Sequence, residues 1–198
     1  LNSTGWRICM VETLVEIDEL CRLSARRHDH LCPKQVLGVR IGVAGLERFG
    51  VGPRPEGKRF LVFVETDGCF ASGVEAATGA AVDHRTLRVE DCGKLAATIV
   101  DTSSGVAYRF VPKAGVRTLG CCYAPEAANE YQAQILGYQR MPIEELCDVT
   151  AVCLKVPVSR IVSVPGRRTM CAACGEEIIN EREVVVGGKT LCRTCAGD

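Results

Sequence analysis

The chain holds 198 residues, with 24 Lys plus Arg balanced by 24 Asp plus Glu and 47% apolar side chains. That length suits one medium domain and a small second one, the apolar content argues against disorder, and the zero net charge argues against nucleic acid as a partner. Thirteen cysteines stand in a chain that shows no basic region followed by a long apolar run at Leu1 to Met10, and no apolar stretch near the ~20 residues of a bilayer span. The expectation is a cytoplasmic protein with reduced thiols and no membrane partner.

From Val11 to Arg27, Leu14, Ile17, Leu20 and Leu23 recur at helical spacing among charged neighbours, which predicts an amphipathic helix. It stops at His28-Asp29-His30-Leu31-Cys32-Pro33. Pro33 is placed to open a second helix through Val36, Val39, Val43 and Leu46 to Gly50, with Cys32 as its N-cap. After the Gly- and Pro-rich loop Gly50–Gly57, the run Arg59–Thr66 has strand length and composition. A short helix from Phe70 to Thr78, stopped at Gly79, then places Cys69 at or just before its start.

Strands are expected at Thr86–Glu90, Lys94–Asp101 and Val106–Val111, forming a meander. Pro125 and Pro142 are expected to open helices, the adjacent Cys121-Cys122 pair to lie in a loop, and Val149–Val156 and Val158–Val164 to be strands. Composition turns basic and turn-forming around Pro165-Gly166, which marks a linker. The reading is an α+β body over residues 1–164 and a small module over 165–198.

That module carries Cys171, Cys174, Cys192 and Cys195 as two Cys-x-x-Cys pairs with 17 residues between them. Two intervening residues let a tight knuckle aim both sulfurs of a pair at one ion, and Gly175 supplies permissive backbone after the first knuckle. The alternatives are disulfides or a chance spacing. In a reducing compartment this spacing is read as a zinc site.

In the body, His28, His30 and Cys32 alternate, so an extended stretch points all three one way toward a metal or a substrate. Cys32 and Cys69 both fall at predicted helix N-termini, where the helix dipole favours a thiolate. The competing reading makes the histidines C-terminal caps and the cysteines small buried hydrophobes. Asp91-Cys92-Gly93-Lys94 could present Lys94 to an anion or be an ordinary turn. Cys9, Cys21, Cys147 and Cys153 are expected to be packed in apolar faces, and His84 to be solvated in a polar turn.

These segments together resemble the FmdE family, named for formylmethanofuran dehydrogenase, over about Leu20 to Val156. The matching segments are His28-Asp29-His30-Leu31-Cys32-Pro33, Glu65-Thr66-Asp67-Gly68-Cys69, Thr78-Gly79 and Asp91-Cys92-Gly93-Lys94. The resemblance implies an intertwined homodimer, in some members followed by a treble-clef zinc finger. It nominates His28, His30, Cys32 and Cys69 as a core metal or active site, holding zinc, nickel or iron, with Cys32, Cys69 and Lys94 as catalytic candidates. It also raises the subunits of a molybdenum or tungsten enzyme as partners and a link to methanogenesis and one-carbon metabolism. A regulatory or interaction module is the alternative. The chain departs from the family pattern at Asp29 and Lys34, where the motif has glycines, and at Ala80, where a cysteine is common.

Overall fold

Helix α1, residues 16–25, buries Ile17, Leu20, Cys21 and Ser24, which are spaced three, one and three apart and so share one helical face. The computed structural model describes residues 16–26, 28–162 and 166–197; the expected start of this helix at residues 11–15, Cys9 and the expected linker residue Pro165 lie outside them. Two compact units divide the chain, Leu1–Leu154 and Lys155–Asp198. The expected boundary at residue 164 falls inside the second.

Helix α2, Pro33–Glu47, starts as the sequence dictates, with Cys32 extended at the N-cap and Pro33 in the first turn. Strand β1, Phe60–Val64, leads into α3, Gly68–Thr78, which Gly79 ends in the left-handed conformation at φ +69°. Thr78 completes that end, donating its hydroxyl to Val74 O at 2.8 Å and accepting Ala80 N–H at 3.2 Å. The Thr-Gly pair is therefore a helix stop.

Strands β2 (Leu87–Val89), β3 (Ala97–Asp101), β4 (Ala107–Pro112) and β5 (Cys147–Val152) join β1 in a sheet of order β2-β1-β3-β4-β5. The expected meander holds only from β3 onward. β2 lies parallel to β1 across the α3 crossover, with Val62 opposite Leu87, so the strand nearest β3 in sequence sits at the far edge. Helix α2 covers one face of the sheet: a Cβ on Gly45 would fall 1.8 Å from Ile99 Cδ1, and that close approach seats the helix among Val62, Ile99 and Phe110.

Between β4 and β5 stand α4 (Val116–Cys122), α5 (Glu130–Arg140) and α6 (Ile143–Leu146). Cys121 and Cys122 end a helix and are not in a loop. Weak local helix propensity hides α4 from the sequence, but Gly120 has a packing reason: a Cβ on Gly137 would fall 1.8 Å from Gly120 O, so α4 and α5 touch backbone to backbone. Asn129, not Pro125, caps α5, its side chain accepting Gln132 N–H at 2.9 Å. Arg40 of α2 closes the other end, donating to Tyr138 O, Gln139 O and Met141 O at 2.7, 2.7 and 2.8 Å.

Two more expectations change. Val158–Ile161 is the short helix α7 where a strand was expected. Pro157 fixes φ at the N-cap, and no strand pairs with this β-branched run among the described residues, so composition alone misleads. Cys153 is exposed because it follows the outer strand of the sheet, whereas Cys21 and Cys147 are buried as expected. Burial pushes the Cys21 thiol up to about 12 and the Cys147 thiol up to about 11, which leaves both unreactive.

The second unit contains two hairpins, β6 (Arg168–Met170) with β7 (Glu177–Ile179) and β8 (Val184–Val186) with β9 (Lys189–Leu191), and the one-turn helix α8 (Arg193–Ala196). No helix among the described residues is long and apolar enough to cross a membrane.

Candidate metal centres

The hairpin β6–β7 presents Cys171 and Cys174 in its turn, and Gly175, at φ +76°, lets the chain fold back so that its N–H reaches Cys171 O at 3.0 Å. Cys192 caps α8 and Cys195 lies within it, so the second pair comes from a helix start. The four sulfurs lie within 4.8 Å of one another, with Cys174 Sγ and Cys192 Sγ 4.0 Å apart. A zinc ion about 2.3 Å from each sulfur of a tetrahedron separates them by about 3.8 Å. The quartet fits.

Backbone donors complete it. Cys192 N–H points at Cys171 Sγ at 3.3 Å and Cys195 N–H at Cys192 Sγ at 3.4 Å, the outer support that holds thiolate ligands in place. Backbone N–H groups of Cys174, Cys192 and Ala173 lower the Cys171 thiol to about 6, whereas the Cys192, Cys174 and Cys171 thiols around Cys195 raise that group to about 12. Four crowded thiols without a cation cannot all ionise, and a bound zinc removes the conflict. Among the described residues this is the one cluster of three or more His, Cys, Asp or Glu donors gathered so closely.

The core candidates are brought together in part. Gly73 and Gly38 let α2 and α3 pack with almost no separation: a Cβ on Gly73 would lie 2.1 Å from Gln35 O, and one on Gly38 2.3 Å from Phe70 O. Because residues 35–39 meet 70–74 and Gly42 meets Ala77 and Thr78, the two helices run in the same direction. Their N-termini are side by side. Cys32 at the α2 N-cap and Cys69, the second residue of α3, thus become neighbours at two adjacent positive helix ends.

Cys32 is buried at 8% exposure and its N–H donates to Gln35 Oε1 at 2.7 Å; Gln35 Nε2 in turn donates to Ser24 Oγ at 3.2 Å. The expected lowering of the thiol by the helix end does not hold at Cys69. Burial, then the Cys32 thiol beside it, pushes Cys69 above its ordinary value, and Lys34 opposes this only weakly. His28 turns to Ser72, one turn along α3 from Cys69, with Nε2 3.0 Å from Ser72 Oγ. His30 is exposed in the bend before α2.

Lys94 belongs to a different neighbourhood. The Asp91–Lys94 turn docks on Glu65, whose carbonyl accepts N–H groups from Cys92 and Lys94 at 3.0 Å each. Glu65 also holds Arg109 through two contacts of 2.5 and 2.7 Å, and that guanidinium keeps its carboxyl below the usual carboxylate range, with a smaller contribution from Lys94. Ala80 is buried beyond the C-terminal end of α3, about 16 Å along the helix from Cys69 at about 1.5 Å per residue. A cysteine there could not pair with Cys69 of the same chain. Sequence reasoning missed Tyr131, on α5: its hydroxyl donates to Leu31 O at 3.2 Å, and burial, then Cys32 and Cys69, push its ionisation up. Only the folded chain brings it to the thiols.

Comparison with known proteins agrees with this architecture. A probable S-adenosyl-L-methionine-binding protein of Archaeoglobus fulgidus is 40% identical over 191 residues, covering 86% of this chain and 50% of that protein. The chain therefore spans about half the length of the curated relative it matches. The crystal structure of a tungsten formylmethanofuran dehydrogenase FmdE-like protein from Syntrophus aciditrophicus superposes with a TM-score of 0.58 at 19% identity, over 91% of this chain and 92% of that one, which shows a shared fold. Residues 165–198 match the prokaryotic dksA/traR C4-type zinc finger, the segment holding the four clustered cysteines. Residues 27–148, more than half the chain, match the family described as FmdE, molybdenum formylmethanofuran dehydrogenase operon, and the protein belongs to that family.

Proposed function

We propose that the protein binds two metal ions per chain: a structural zinc in the C-terminal finger and a second ion in the core on Cys32 and Cys69, with His28 and His30 completing the ligand set. The juxtaposition of two thiols at two parallel helix N-termini carries the second assignment. Thiolate and imidazole donors suit zinc, nickel or iron. His28 reaches such an ion by leaving Ser72, and His30 by folding in from the bend. With four protein ligands the ion is structural or sensory; with an open position it polarises a bound substrate, and Tyr131 stands beside it.

The knuckle, hairpin and short helix order of the finger supports a treble clef. An intertwined cytoplasmic homodimer follows from the family resemblance, and the exposed stretch Asp148–Ala151 of edge strand β5 offers backbone groups for such a contact. The link to one-carbon metabolism, with the subunits of a molybdenum or tungsten enzyme as partners, rests on the family name alone.

A second reading, an interaction module without catalysis, is favoured by one observation. The finger exposes Val185 at 68%, Met170 at 56%, and Val186 and Ile179 at 49% each. Apolar side chains in that number suit a protein partner better than a nucleic acid.

Elemental analysis of the purified full chain beside three variants tests the two-ion proposal. Two equivalents are expected in the wild type, one in Cys32→Ala and Cys69→Ala, and one in Cys174→Ala. Unchanged metal in both core variants defeats the core site and leaves the interaction module as the reading.

A further inference from the structure

We propose that the first unit carries a small-molecule site in the cleft beside the C-terminal half of α3, adjoining the proposed core centre through the Ser72–His28 contact, and that it takes a compact zwitterion of amino-acid size. The cleft has a volume of about 210 Å³. That is the liquid share of about seven waters and less than the roughly 300 Å³ at which drug-sized pockets begin.

The walls carry charges of both signs. Arg54, exposed in the loop before β1, is held in place: its backbone N–H reaches Ala77 O at 2.9 Å and its Nη1 reaches Ala76 O at 3.0 Å, so the guanidinium sits against the negative end of α3. Asp83 supplies the opposite charge on the same space, with His84 beside it; both are exposed at its rim. Asp83 is itself oriented, one carboxylate oxygen accepting His84 N–H at 2.9 Å. A ligand with a single charge satisfies one wall and faces a like charge on the other, whereas a zwitterion satisfies both.

Polar groups of fixed geometry close the floor. Ser24 is 2% exposed and its hydroxyl is set by Gln35; Ser72 offers the hydroxyl that meets His28. The backbone around the cleft is also unusual. Among the described residues of the first unit, the non-glycine residues with left-handed φ are Arg54 at +50° and Arg85 at +61°; Arg54 lines the cleft and Arg85 follows His84, which also lines it. Left-handed backbone at a side-chain-bearing residue persists only where surrounding structure enforces it, and such residues gather at ligand clamps.

The charged walls, Arg54 and Asp83, are not among the proposed core ligands, so variants at these two residues test the cleft without touching the thiols. Thermal unfolding of the full chain would be followed with glycine, the other common L-amino acids, β-alanine and γ-aminobutyrate as zwitterionic probes, and with acetate and methylammonium as singly charged ones, each at millimolar concentration. At least one zwitterion is expected to raise the Tm saturably, and acetate and methylammonium to leave it unchanged. Asp83→Asn keeps an acceptor for His84 N–H and is expected to fold and to weaken that ligand at least tenfold; Arg54→Gln is expected to do the same. Amide NMR shifts on binding should concentrate at Ser72, Asp83 and His84. A silent panel, equal shifts from acetate or methylammonium, undiminished binding to Asp83→Asn, or NMR changes away from these residues would each overturn the proposal.

Discussion

Gln35 is a polar side chain with no exposure, and its position explains why α2 begins where it does. Its amide oxygen takes the Cys32 N–H that the helix leaves unpaired, and its amide nitrogen reaches Ser24 in α1. One residue therefore fixes the thiol of Cys32 and ties two helices together. Replacing it with leucine keeps the volume and strands a buried N–H and a buried hydroxyl, each uncompensated group costing about 1–3 kcal/mol. Gln35→Leu should lower the stability of the first unit by about 2–6 kcal/mol, counting both groups, as urea unfolding would read. It should also release the proposed core ion before the tail zinc. A variant as stable as the wild type would mean that water or a shift of Ser24 satisfies both groups.

At the scale of elements, the crossing of α2 and α3 decides whether a core site exists. Gly38, Gly42 and Gly73 lie in the contact, and a Cβ at Gly73 would collide with main-chain atoms of α2, which cannot swing away as a side chain can. Gly73→Ala should therefore push the helices apart, at a cost of about 1–3 kcal/mol, and separate Cys32 from Cys69. Gly79→Ala, at the left-handed stop of α3, should destabilise by strain at φ +69° without moving the thiols. Urea unfolding with metal analysis distinguishes the two: both lose stability and only Gly73→Ala loses the proposed core ion.

Local chemistry made several of these elements legible. Cys32-Pro33 and Thr78-Gly79 mark a start and a stop by backbone rules that act within one turn, and Cys171 to Cys195 declare a metal site by spacing alone. Non-local pairing was not legible. The place of β2 beside β1 follows from the packing of α3, not from the strand's own residues, and the approach of Tyr131 to Cys32 joins α5 to the start of α2. Helix α4 was hidden because Gly120 weakens it locally and stabilises it only through contact with Gly137. At Cys69 burial, then the neighbouring Cys32 thiol, raises the thiol at a helix end that by itself favours a thiolate.

For the whole molecule, the two units differ in what holds them. The first has a continuous apolar core running through α1, α2, α3 and the sheet. In the second, among the described residues, only Cys171 at 2% and Ile178 at 7% exposure are buried apolar side chains. A fully buried aliphatic side chain contributes about 1.5–3 kcal/mol, far below the ordering entropy of a module this size, whereas zinc bound to a small finger contributes about 10–16 kcal/mol. The finger should fold with its ion and unfold without it. Cys174→Ala should thus make residues 166–197 sensitive to protease while the thermal transition of the first unit keeps its midpoint within about 2 °C, a shift that corresponds to less than about 1 kcal/mol in a domain of this length. Limited proteolysis with mass mapping, run beside calorimetry, reads both. A midpoint lowered by several degrees would show that the first unit draws stability from a folded finger, and that the two units act as one cooperative structure.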